Sequence, residues 1–172
     1  ERLCQAHLSD TGEGPFLRTG DLGFLKDGEL FVTGRLKDLI IVGGRNVFPA
    51  ELERTAASVV GVRSGRVAVV GTERADFGTQ GVVVVAEPVS VRGEGAPALV
   101  ETIRRRLQSE HGVTPYDVVL VRHGVLPFTS SGKIRRFQVR AAYRDGSLAT
   151  PLYALRGPRS ATPVAELSMG GA

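Results

Sequence analysis

The chain has 172 residues, 42% hydrophobic and 23% charged, which suits one ordinary domain with a buried core and some extra chain. Its single cysteine, Cys4, excludes an internal disulfide framework and points to a reducing cytoplasm, and no apolar run approaches the roughly 18 residues of a membrane span. A net charge of +4 with 6% aromatic residues argues against a nucleic-acid partner, because few stacking platforms accompany a modest cationic excess; an acidic protein or a polyphosphate ligand suits that charge as well.

In chain order, residues 21 to 34 (DLGFLKDGELFVTG) predict a hairpin, with apolar alternation on both sides of an Asp27-Gly28 turn. Residues 38 to 48 predict a second hairpin turning at Gly43-Gly44, and Arg35-Leu36-Lys37 form a polar joint between the two. Pro49 suits the first position of a helix whose apolar stripe is Leu52, Ala56, Val59 and Val60. Two β-branched runs, 66–71 and 82–87, are expected to pair. A helix follows from about Ala98 to His111 with Leu99, Val100, Ile103 and Leu107 on one face, then a third core strand at 117–121 and a last helix from Ile134 to about Asp145. The prolines and Gly-Gly ending of 151–172 suggest a tail or linker. The expected fold is α+β: a small domain with a hairpin and a three-stranded core sheet flanked by helices.

Residues 126 to 136 (LPFTSSGKIRR) hold the first candidate for chemistry. A phosphate-binding P-loop fails here, since Pro127 stands where its first glycine belongs and Ile134 follows the lysine. What remains is a turn of small residues presenting Lys133, whose ammonium can stabilise oxygens gaining negative charge in acyl or phosphoryl transfer, or can be a solvated surface charge. Asp21, on a Gly-bounded turn, can accept hydrogen bonds from a ribose diol or cap its own turn. Gly43-Gly44 serves a tight hairpin or leaves room for a passing ligand. Arg35 and Lys37 are equally readable as surface charges. The three histidines, His7, His111 and His123, stand far apart without metal-ligand spacing, so no metal site is expected and each reads as a surface or cap residue.

Taken in order, FLRTGDLGFLKDGELFVTGRLKDLIIVGGRNVFPAELE and LPFTSSGKIRR resemble the closing part of the adenylate-forming superfamily of acyl-CoA synthetases, luciferases and adenylation domains, and within it most resemble fatty acyl-AMP ligases. The resemblance covers roughly residues 10 to 148. It implies an enzyme that activates a fatty acid with Mg-ATP as an acyl-adenylate for transfer to the phosphopantetheine of an acyl carrier protein. By the same resemblance Asp21 and Arg35 approach the ribose, Lys37 is the hinge, Lys133 reaches the carboxylate and α-phosphate, and Gly44 lines the phosphopantetheine path. It implies that residues 1–36 end an upstream N-terminal adenylation domain, that 37–150 are the mobile C-terminal domain, and that ATP and Mg²⁺ are held mainly by the absent domain. The chain begins with Glu1 rather than Met, as a fragment or a processed product would, and the resemblance implies that without the large domain it is inactive alone. The basic helix face of Arg135, Arg136, Arg140 and Arg144 is then a docking surface for an acidic carrier, or an ordinary solvated face. The alternatives are a synthetase domain that uses free CoA and a non-catalytic binding module that has kept the fold.

Overall fold

The computed structural model describes residues 4–74, 78–90 and 95–148 and the backbone of 153–156. The two expected hairpins form: β1 (Asp21–Lys26) pairs antiparallel with β2 (Glu29–Arg35), and β3 (Ile40–Val42) with β4 (Arg45–Val47). Both turns hold two residues at positive φ, Asp27 (52°) with Gly28 (82°) and Gly43 (54°) with Gly44 (78°). Two-residue loops need that geometry to follow the right-handed twist of their strands. A single 3₁₀ turn, Leu36–Asp38, joins the hairpins.

Helix α1 (Pro49–Ala57) starts at Pro49, whose missing N–H would have found no partner in a first turn. Leu52, Ala56 and Val59 are buried as expected, but Val60 is 96% exposed. The helix closes at Ala57 with Ser58 as its cap, so its 3.6-residue period stops before reaching Val60.

The main sheet runs β5 (Val62–Arg74), β6 (Thr79–Pro88), β7 (Asp117–Leu120) and β8 (Tyr153–Arg156) in that spatial order. β5 and β6 are antiparallel, whereas β6 and β7 are parallel and therefore need a crossover, supplied by α2 (Gly95–His111). The two-residue period sorts the valines onto opposite faces. Val67, Val69, Val84 and Leu120 pack with Leu52 of α1 and Val100, Ile103 and Leu107 of α2. Val70, Val83, Val85 and Val119 pack with Val139 of α3 (Arg136–Arg144). The α+β class and the three-stranded core sheet between helices hold. β8 adds a fourth strand, antiparallel to β7, inside the stretch read as tail; 157–172 lie outside the described residues. α3 begins at Arg136 rather than Ile134 because Ile134 bridges to Phe128.

One buried charge positions the segment that leads to Lys133. The fully buried Glu87, near the end of β6, accepts the backbone N–H groups of Gly124 and Leu126 on Oε1, both at 3.0 Å, and its Oε2 lies 2.8 Å from His123 Nδ1. Burial pushes the Glu87 carboxyl up, but the bonds from Leu126, His123 and Gly124 and the charge of Arg66 outweigh it and hold the group below its ordinary value. Its stabilisation is thus complete above the unfolded carboxyl pKa and fades as pH falls through the lower folded one. Replacing Glu87 with Ala, which strands the buried Leu126 N–H and frees the more exposed Gly124 N–H, is expected to lower stability by about 2–3 kcal/mol at pH 7. Urea unfolding checks this, and the gap between the two proteins should narrow as the pH falls below the ordinary carboxyl range.

Candidate functional site

Lys133 sits on a turn that closes on itself. Thr129 N–H donates to Lys133 O (2.8 Å), Gly132 N–H to Thr129 O (3.0 Å), and Lys133 N–H to Thr129 Oγ1 (3.0 Å). Gly132 takes φ 77°, which a side chain would oppose. Phe128 and Ile134 bridge at the foot of the turn and pack against the α3-side core, while Arg66 stacks over the Phe128 ring at 4.3 Å. The small-residue turn is thus tied by three hydrogen bonds of its own. The Lys133 side chain is exposed and makes no hydrogen bond or ion pair among the described residues.

A cleft of ≈ 410 Å³ brings Lys133 together with Asp21, Arg35 and Lys37. Its walls are the end of β2, the start of α1 around Phe48 and Pro49, and the Lys133 turn with Phe137 beyond it. Cross-strand register places Asp21 opposite Arg35, and Arg35 Nε donates to Asp21 Oδ1 at 3.0 Å. Both side chains are substantially exposed, so the pair adds little stability and leaves polar atoms facing the cleft. Gly44 lies elsewhere, on an open groove of ≈ 820 Å³ formed with Gly43 and residues of β5 and β6. A Cβ at Gly44 would meet nothing within 4 Å, so the glycine answers to its positive φ rather than to crowding.

The strongest polar interaction at the cleft had a different reading in the sequence. Arg136 donates from Nε to Glu53 Oε1 (2.7 Å) and from Nη2 to Glu53 Oε2 (2.6 Å), and its Nη1 reaches Asp38 Oδ2 at 3.2 Å. Glu53 Oε1 also accepts Val69 N–H at 3.0 Å. One guanidinium thereby connects the joint, α1, β5 and the turn three residues before it. Hydrogen bonding to Glu53 outweighs partial burial and raises the already high Arg136 pKa further, so this charge is permanent. Arg140 also turns inward, donating from Nε to Gly71 O at 2.7 Å. Of the four arginines expected on one docking face, Arg135 and Arg144 stand exposed, while Arg136 and Arg140 serve the fold.

His111 meets Thr55 Oγ1 at 2.8 Å and His123 meets Glu87, so both histidines hold structure. Among the described residues no three His, Cys, Asp or Glu side chains gather as metal ligands, and this donor set does not fit Mg²⁺. No helix among them is long and apolar enough to cross a membrane.

No protein-family model matches the chain. It is 44% identical over 149 residues to the medium-chain fatty acid–acyl-carrier-protein ligase JamA of Moorena producens (strain JHB), which covers 86% of this chain and 25% of that protein. The chain thus spans about a quarter of the length of the curated relatives it matches. Its fold matches a structure of McyG A-PCP complexed with phenylalanyl-adenylate with a TM-score of 0.73 at 31% identity, over 78% of this chain and 21% of that one. It also matches a structure from work on fatty acyl-adenylate ligases of E. coli and L. pneumophila, with a TM-score of 0.64 at 35% identity, over 82% of this chain and 24% of that one.

The fork between Arg136 and Glu53 sets a measurable expectation. Replacing Arg136 with Lys keeps a charge but loses the paired geometry and is expected to lower stability by about 1–2 kcal/mol, and replacement by Ala by about 3 kcal/mol. A double-mutant cycle with Glu53→Gln, read by urea unfolding, should show coupling of about 1 kcal/mol or more.

Proposed function

This chain belongs to the adenylate-forming enzymes as a counterpart of the C-terminal part of fatty-acid–AMP ligases, and we propose on that premise that it closes a fatty acyl-AMP ligase over its substrates. The observation that carries the reading is the single cleft lined by Asp21, Arg35, Lys37 and Lys133. A fatty-acid carboxylate oxygen attacks the α-phosphorus of ATP; the new O–P bond forms as the bond to pyrophosphate breaks, and pyrophosphate leaves with the displaced electron pair. Negative charge crowds on the phosphoryl oxygens in that transition state, and the Lys133 ammonium, without a partner among the described residues and carried on a hydrogen-bonded turn, is suited to offset it. Asp21 Oδ2, unused by Arg35, is suited to accept a ribose hydroxyl, with Arg35 holding the carboxylate in place.

Lys37, exposed in the 3₁₀ turn between the hairpins, is the pivot of the same proposal. Residues 1–36 then belong to an upstream nucleotide-binding domain that also holds Mg²⁺, and 37–150 to the swinging one. Hairpin β1–β2 supports that division: Leu25 is 76% exposed, and Phe24 and Phe31, stacked across the strands, are exposed too. A second large domain would cover such a surface. After rotation removes Lys133, the Gly44 turn borders the phosphopantetheine path, and the acyl group passes to an acyl carrier protein docked near Arg135 and Arg144. Without its upstream domain the chain is inactive, and the whole enzyme works in the cytoplasm.

Two measurements on the complete enzyme test this. Lys133→Ala is expected to slow fatty-acid-dependent pyrophosphate release by about 10²–10³-fold; an unchanged rate would remove Lys133 from the mechanism. Given Mg-ATP and a fatty acid, the enzyme is expected to load a phosphopantetheinylated carrier protein and not free CoA, as read by mass spectrometry. Ready formation of acyl-CoA would move it to the synthetases.

A further inference from the structure

The outer edge of β3 is satisfied by side chains instead of a strand. Gln80 Oε1 accepts Ile41 N–H at 2.8 Å; Thr79 Oγ1 accepts Gly43 N–H at 2.8 Å and donates to Ile41 O at 3.1 Å. Three backbone groups beside the Gly43-Gly44 turn are thus held by the first two residues of β6, which are themselves paired with Arg74 and Glu73 of β5. The turn has no other anchor of this kind among the described residues. Hairpin β3–β4 is only three residues on each side, Gly43 and Gly44 are exposed, and two-stranded hairpins of that length are not stable alone.

We propose that Thr79 and Gln80 are positioning residues for acyl transfer, fixing the Gly43-Gly44 turn at the height the phosphopantetheine arm must pass. This rests on the reading of Gly44 as part of that path. In the step concerned, the pantetheine sulfur attacks the acyl carbonyl carbon, the C–S bond forms, the C–O bond to AMP breaks, and the thiol proton passes to solvent. Neither residue lines the cleft that holds Lys133, so adenylation does not depend on them. The chemistry also separates close variants. Thr79→Ser keeps the hydroxyl and Gln80→Glu keeps an acceptor, whereas Thr79→Val and Gln80→Leu keep size and lose the bonds.

The test uses the complete enzyme with a phosphopantetheinylated carrier protein and measures pyrophosphate release and single-turnover acyl transfer separately. Thr79→Val and Gln80→Leu are expected to slow transfer roughly tenfold, by misplacing the turn, with pyrophosphate release within about twofold of the starting enzyme. Thr79→Ser and Gln80→Glu should restore transfer. Amide hydrogen exchange should show Gly43 N–H losing protection in Thr79→Val and keeping it in Thr79→Ser. Gly44→Asn, which tolerates positive φ while adding a side chain, reports on the underlying path. If Gly44→Asn impairs transfer while Thr79→Val and Gln80→Leu transfer normally, the positioning role is overturned and the path reading stands. If Gly44→Asn also transfers normally, the path reading falls and takes this proposal with it. Parallel loss of both half-reactions in the Val and Leu variants would make the contacts ordinary scaffold and overturn the proposal.

Discussion

The arrangement of this chain depends on one guanidinium. Arg136 joins the 3₁₀ joint through Asp38 and α1 through Glu53, and Glu53 in turn takes a backbone N–H of β5. Each of these groups is partly buried, so each would carry an uncompensated desolvation penalty without the others. The Lys133 turn leads directly into this arginine. The orientation of the joint and that of the turn are therefore set by the same three charges, not by two independent packings.

Around that hub the hydrophobic layers are simple. Alternating valines give each core strand two apolar faces, one taken by α1 and α2 and the other by α3 and the segment after β7. The parallel pairing of β6 with β7 follows from the α2 crossover, and the Glu87 carboxylate holds the chain as it leaves the sheet toward Phe128. Apolar packing fixes the layers; buried carboxylates fix the loops between them.

Much of this was legible in the residues. Both hairpins, the Pro49 helix start and the three core strands follow from period and turn chemistry, because those signals are local. Lys133, Asp21, Arg35 and Lys37 could be singled out one at a time, but their common cleft depends on register and on the approach of β2 to the start of α1. Glu87 was read only as the end of a valine run and His123 as a surface group, since a carboxylate that binds backbone 37 and 39 residues away leaves no periodic trace. Arg136 and Arg140 looked like neighbours of Arg135 and Arg144 on a charged face; their inward partners, Glu53 and Gly71, are far off in sequence. Strand β8 escaped because four residues bounded by prolines and glycines show too little alternation to count.

The self-closed turn beneath Lys133 has an entropic consequence. Ordering a free loop of five residues would cost on the order of 1–2 kcal/mol per residue on every engagement. Here Thr129 already holds the backbone at both the N–H and the C=O of Lys133, so only the four-carbon stem remains to be frozen, on the order of 2 kcal/mol. A charge carried on such a stalk has a set reach. In the proposed swing about Lys37, where it lands would be decided by the angle at the joint, and one rotation would deliver or withdraw it without any refolding of the turn.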